Sequence, residues 1–182
     1  MKLKPLARLI AVGLLFWVTK SWAEPLMISV DAIQVEDGDT LKITVADQVK
    51  RLQLIGIDAP EDIENPKFAV DSKRTGLSQE TLLSLGIIAT GHLKKLITAG
   101  YSYELRWESE KPDKYGRQPG ELFTQSGVSI NARMVEEGYA IALPGASSTL
   151  QSLQRQAESE RRGLWGVLAK PTRLWAGAGG SD

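Results

Sequence analysis

Residues 27–61 read MISVDAIQVEDGDTLKITVADQVKRLQLIGIDAPE. Three runs rich in β-branched and leucine residues, 27–35, 40–46 and 49–57, are separated by Glu36-Asp37-Gly38-Asp39 and by Asp47-Gln48. Asp-Gly between two such runs is a hairpin signal, and three successive runs with short turns predict an antiparallel meander. Within the third run, strict alternation would put Leu52, Leu54, Gly56 and Asp58 on one face and Arg51, Gln53, Ile55 and Ile57 on the other. The run ends in Asp58-Ala59-Pro60-Glu61, so the strand delivers two acids to its end.

Working outward, Lys2, Lys4 and Arg8 precede an apolar run from Leu9 to Val18, and Ser21-Trp22-Ala23 forms a small-x-small site. This reads as a secretory leader, residues 1–23, cleaved after Ala23. The apolar run falls short of the about 20 residues a membrane span needs. The expected product is exported, periplasmic or secreted, with no stable membrane association. Removing the leader takes away four cations and no acid, leaving 18 Lys and Arg against 22 Asp and Glu, a net charge of −4. General attraction to a polyanion is thereby excluded, and phosphate binding needs a local cluster or a metal. The chain has no cysteine, which rules out disulfides, a lipid-modified cysteine and thiol chemistry.

Downstream, residues 62–77 are polar and read as a long surface loop. Ser78 caps an expected helix to about Ala99 with Leu82, Leu85, Ala89, Leu93 and Leu96 on one stripe, weakened by Gly86 and Gly91. Residues 101–108 and 120–125 read as strands, 139–143 as extended, and Ser129 to Glu137 and Ser147 to Arg162 as helices. The expected architecture is mainly β with helices (α+β), an OB-fold five-stranded barrel with about three helices. One domain is expected over 24–168, followed by a flexible C-terminal tail, 169–182.

Asp39 opens the second strand and Asp58 closes the third, and in a meander those ends share one edge of the sheet. Two carboxylates brought together repel unless something positive lies between them. Hard oxygen ligands suit Ca²⁺ or Mg²⁺. Asp37 is most simply a turn residue. Asp113-Lys114-Tyr115-Gly116-Arg117 taken alone is a turn with solvated charges, although its arginine can present a planar fork to a phosphate.

Taken in order, Asp37-Gly38-Asp39-Thr40, Ile55-Gly56-Ile57-Asp58-Ala59-Pro60-Glu61, Asp113-Lys114-Tyr115-Gly116-Arg117 and Arg162-Gly163-Leu164-Trp165 resemble the motifs of the staphylococcal nuclease family. The resemblance spans residues 27 to about 168. It implies Ca²⁺-dependent hydrolysis of phosphodiester bonds in DNA or RNA, leaving 3′-phosphate ends. By the same resemblance Asp39, Asp58 and the Ala59 carbonyl are metal ligands and Glu61 is the general base. Arg117 binds the phosphate, and Lys114 and Tyr115 line the nucleotide pocket. A monomer is expected.

Two departures qualify the match. The family's second phosphate-binding arginine lies five residues before Asp58, where this chain has Gln53; Arg51, about 6.6 Å along the same strand face, is a possible substitute. After Gly138 the chain reads Leu143-Pro144-Gly145-Ala146 where base-stacking tyrosines stand in the prototype. A non-catalytic module binding nucleic acid or protein is the rival reading, and a phosphodiesterase for small nucleotides a third. His92, the sole histidine, reads as a helix-flank residue without a partner, and Trp107, Trp165 and Trp175 as packing groups.

Overall fold

The computed structural model describes residues 25–97, 101–109 and 111–177. The leader expected at 1–23 and the last residues of the tail, 178–182, lie outside them. The meander is present. Strands β2 (Ile33–Val35), β3 (Thr40–Val45) and β4 (Gln48–Leu54) pair antiparallel in sequence order, with Thr40 opposite Gln53 and Lys42 opposite Arg51. The turn between β3 and β4 is the two-residue Ala46-Asp47, both at positive φ, the geometry that suits the twist of a tight hairpin.

The segment read as one strand, 27–35, is broken. β1 (Leu26–Ser29) leaves through a single 3₁₀ turn, Val30–Ala32, before β2 begins. The two pieces pair with different partners: β1 with β6 (Ser102–Trp107), β2 with β3. β7 (Arg117–Thr124) joins β6 antiparallel and β4 parallel, giving one six-stranded sheet in the order β1-β6-β7-β4-β3-β2. Its two edges are thus consecutive pieces of chain three residues apart, a reach of about 10 Å, so the sheet must curl until its edges approach. β1 and β2 are not hydrogen-bonded to each other, and the expected five-stranded closed barrel is corrected to a curled open sheet of six.

Gly56, at φ +77°, ends β4 and turns the chain into β5 (Ile57–Asp58), which pairs with β8 (Ile141–Ala142) in a separate two-stranded sheet. That turn resets the alternation expected across 51–58. Leu52, Leu54 and Ile57 are all buried, while Asp58 faces the open edge with its side chain 25% exposed.

Helices cover the rest. The expected loop 62–77 contains α1 (Pro66–Thr75), capped by Asn65, whose Oδ1 accepts from the Phe68 N–H, and closed by Gly76 at positive φ. α2 (Gln79–Leu96) starts from the Ser78 cap and buries Leu82, Leu85, Ala89 and Leu93, while residues 98–100 are outside the described set. α3 (Ile130–Glu136) and α4 (Ser148–Ser159) follow as expected, then a single turn, α5 (Leu164–Val167), which buries Trp165. The tail expected from residue 169 is corrected: α6 (Ala169–Trp175) is helical, and Trp175 is 2% exposed. Six helices therefore stand among the described residues where about three were expected. The core joins Leu41, Ile43, Leu52, Leu54, Leu105 and Leu122 of the sheet to the α2 stripe.

Candidate functional site

The Asp37 carboxylate organises the first acid loop. Its Oδ1 accepts from the N–H groups of Asp39 and Thr40 at 3.0 and 2.7 Å, an Asx turn that aims Asp39 inward. Asp39 is buried; its Oδ1 accepts from the Thr40 hydroxyl and its Oδ2 from the Ala59 N–H at 3.1 Å. The Leu54 N–H donates to the Asp39 carbonyl, which ties the end of β4 to the start of β3. Asp39 and Asp58 are thus brought near each other, but the expectation that they share one sheet edge is corrected: Asp58 lies in β5 of the separate two-stranded sheet, and the Ala59 N–H to Asp39 bond makes the link.

Glu61 is positioned from two sides. α2 presses on its backbone at Gly86, where a Cβ would fall 2.0 Å from the Glu61 carbonyl oxygen. Asn65 donates from Nδ2 to Glu61 Oε2 at 2.5 Å, so the residue that caps α1 also fixes the side chain. The first turn of α1 then places Lys67 among the acids. Its ammonium lies 3.1 Å from Asp58 Oδ1, 2.8 Å from Glu61 Oε1, 3.0 Å from the Ala59 carbonyl and 3.8 Å from Asp71 Oδ2.

The electrostatics follow from burial. Asp39 is pushed well above the ordinary carboxylate range by desolvation, with the charges of Asp37 and Asp58 adding to the rise. Asp58 is raised by burial too, against the pull of Lys67. Burial works against the Lys67 ammonium, but Asp58 and Glu61 outweigh it and the pKa is raised, so the lysine is charged. The donors fit a hard cation: they are carboxylate and carbonyl oxygens, and they already surround a positive charge. Among the described residues no group of three His, Asp or Glu side chains has the spacing of a metal cluster, and the lysine stands between the oxygens.

Across a cleft of about 530 Å³ from these acids stand Arg51, Arg117 and Tyr115. Arg51 and Arg117 are direct partners in the parallel pairing of β4 and β7. Both guanidinium groups are engaged: Arg51 on Glu36 through Nε (2.9 Å) and Nη2 (2.5 Å), Arg117 on Asp113 through Nε (3.0 Å) and Nη2 (2.9 Å). Asp113 also accepts the N–H groups of Tyr115 and Arg117, which hold its pKa low although burial opposes them. The exposed Tyr115 ring lies between two cations, 4.8 Å from Lys114 Nζ and 5.2 Å from the Arg117 guanidinium carbon. Arg51 Nη1 donates to the Tyr115 carbonyl. Gln53 pairs with Pro119 in the ladder, and its Oε1 accepts weakly from the Thr40 hydroxyl at 3.4 Å.

Glu61 and Lys67 thus line the cleft together with Arg51, Tyr115 and Arg117; Asp58 and the Ala59 carbonyl reach the Lys67 ammonium, Asp39 accepts from the Ala59 N–H, and Lys114 lies beside the Tyr115 ring. Sequence reasoning missed Lys67, Asn65, Glu36 and Gly86. The Asn65-Pro66 pair, a cap residue followed by proline at the first helical position, is the signal that could have found α1 and with it Lys67. His92 is corrected as well: Nε2 meets Glu137 Oε2 at 2.5 Å, its ring stacks on Tyr139, and burial lowers its pKa despite Glu137.

Fold and site define an α+β domain in which acids gathered around Lys67 adjoin a cleft that carries two arginines. The chain belongs to the staphylococcal nuclease homologue family, whose profile matches residues 51–167. Endonuclease YhcR of Bacillus subtilis (strain 168) is 30% identical over 141 residues, 72% of this chain and 11% of that protein, so the chain spans about a tenth of that relative. An uncharacterized endonuclease of Escherichia coli O157:H7 is 28% identical over 145 residues, 79% of this chain and 80% of that protein. Protein ParB of Escherichia coli is 26% identical over 168 residues, 85% of this chain and 80% of that protein.

Proposed function

We propose that this protein is an exported, monomeric, Ca²⁺-dependent nuclease that hydrolyses phosphodiester bonds in DNA or RNA endonucleolytically, leaving 3′-phosphate ends. The observation that carries the reading is the convergence of Asp58, the Ala59 carbonyl and Glu61 on the one position that the Lys67 ammonium holds, with Asp39 bonded to the adjoining Ala59 N–H and with Arg51 and Arg117 lining the same cleft as Glu61. Membership of the family and similarity to two proteins named as endonucleases support it.

Attack on a phosphodiester anion requires neutralisation of the phosphate and a base beside the attacking water. Asp39, Asp58 and the Ala59 carbonyl are the groups that would hold Ca²⁺, which when bound would supply positive charge near the phosphoryl oxygens. Glu61, fixed by Asn65 at Oε2, takes the proton of water at Oε1 once that oxygen is free of Lys67. Arg117 exchanges Asp113 for a phosphate oxygen, and Tyr115 flanks the adjoining nucleoside. Gln53 brings a neutral amide where the family has an arginine. Losing one such donor costs roughly 10² to 10³ in rate, and Arg51, already in the cleft, is the group placed to offset part of it.

Gln53 also favours a second reading, a non-catalytic nucleic-acid-binding module. The full chain incubated with single-stranded DNA, duplex DNA and RNA, with Ca²⁺ or a chelator, separates the two. Metal-dependent cleavage that falls by about 10² or more in Glu61→Gln, with binding retained, is the expected result. Absence of cleavage on all three substrates, or equal cleavage by the variant, rejects the nuclease.

A further inference from the structure

We infer that Lys67 is a tethered counter-ion that holds the divalent-cation position, and that Ca²⁺ enters by displacing its ammonium. The inference rests on the cation-site reading above, but its test does not depend on cleavage.

An ammonium has three N–H donors and no acceptor. Three oxygens lie at hydrogen-bond distance from Lys67 Nζ: Asp58 Oδ1, Glu61 Oε1 and the Ala59 carbonyl. All three donors are therefore matched, and two of the three acceptors are oxygens assigned to the metal. Contacts of 2.8 to 3.1 Å suit N–H···O bonds; a Ca²⁺ ion needs the same oxygens at about 2.3–2.6 Å. One set of oxygens cannot satisfy both cations in contact, so the two compete.

The tether is built into the fold. The backbone of Lys67 sits in the first turn of α1, held at one end by the Asn65 cap. One turn further on, Asp71 is buried and accepts from Arg74 and from the Trp175 indole. The root of the lysine is thus fixed, while its four-carbon stem lets the head group swing away without moving the helix. Displacement would also release Glu61 Oε1, because the same ammonium holds it. Cation entry and liberation of the base are then one event, and the protein stays inactive until Ca²⁺ outcompetes its own side chain.

Two measurements test this with CaCl₂ as the probe. Calorimetric titration of the full chain should show Ca²⁺ binding about tenfold or more tighter in Lys67→Met than in the wild type, with Lys67→Arg remaining near wild type. Circular dichroism and thermal melting check that the variants fold. In the unmutated protein, acetic anhydride labelling mapped by mass spectrometry should show Lys67 protected in chelator and reactive in saturating Ca²⁺. Equal affinity in wild type and Lys67→Met, or labelling of Lys67 unchanged by Ca²⁺, overturns the inference. Metal-dependent cleavage by a protein that fails both measurements would leave the nuclease reading standing and remove only the role of Lys67.

Discussion

Gly86 sets a conflict between two effects of known size. In a helix interior, alanine is favoured over glycine by about 0.8–1 kcal/mol, so Gly86→Ala stabilises the protein if α2 is governed by propensity. The added Cβ would instead meet the Glu61 carbonyl oxygen at 2.0 Å and the Asp62 nitrogen at 2.5 Å, both backbone atoms that cannot rotate aside. Overpacking of that kind costs about 1–3 kcal/mol. The expected outcome is a lower urea midpoint together with a loss of cleavage, since the loop carrying Glu61 must move. A higher midpoint would show that α2 does not position the acid. This role was invisible in the sequence, where a helix glycine looks the same whether it is a weak point or a close approach. Asp39 and Asp58 stood out as a pair because acids at strand ends signal chemistry by type and place, whereas Arg117, a solvated turn charge when read alone, gained its role only from the resemblance of the ordered motifs. Lys67 and Glu36 were not legible: Lys67 reads as a solvated charge until α1 is seen to fold it back on Asp58 and Glu61, and Glu36 until its partner Arg51, 15 residues on, is known.

Among the elements, α1 and α6 depend on each other across about a hundred residues of sequence. The Trp175 indole donates to Asp71 Oδ2 at 3.2 Å, and Arg74 bridges Asp71 Oδ1 and the Trp175 carbonyl at 2.8 and 2.7 Å. Trp175→Phe keeps most of the apolar volume and removes the donor. Hydrogen bonds to charged groups contribute about 1.5–3 kcal/mol, so a destabilisation of that order is expected by urea unfolding. Amide exchange should rise locally in Pro66–Thr75 before the sheet is affected. Unchanged exchange in α1 would show that α6 does not anchor it. Pattern reading failed on both helices for one physical reason. Each is short and buries only two residues, Phe68 and Asp71 in α1 and Thr172 and Trp175 in α6, so neither carries an apolar stripe. Their ends do carry signals, Asn65-Pro66 and Gly76 for α1, but caps matter only once a helix is suspected. The sheet was legible as a meander because alternation and Asp-Gly turns are local. The break of 27–35 into two edge strands was not, since it follows from the curl of the whole sheet, which gives each piece a different partner.

At the scale of the molecule, the charge distribution decides how a polyanion is met. Outside the cleft, Arg106, Arg133, Arg162 and Arg173 each face an acid, Glu104, Glu137, Glu160 and Glu158 respectively. Such pairs present little net field to a phosphate backbone, and acids outnumber cations once residues 1–23 are set aside. Binding must then draw on the few cations that line the cleft, Arg51, Lys67 and Arg117, all of which begin paired to acids, and on Lys114 beside the Tyr115 ring. For single strands log K falls with log salt at about −0.7 per phosphate neutralised. Two or three contacts give a shallow slope of roughly −1.4 to −2.1. Fluorescence anisotropy of an oligothymidylate with the Glu61→Gln variant, which prevents turnover, measures it directly between low and physiological salt. Replacing Arg117 by Ala should flatten the slope by about 0.7. A slope steeper than about −4 would mean that nucleic acid is gripped over a much wider basic surface. The cleft would then be only part of the interface, and the net-acidic character of the chain would not govern its encounter with substrate.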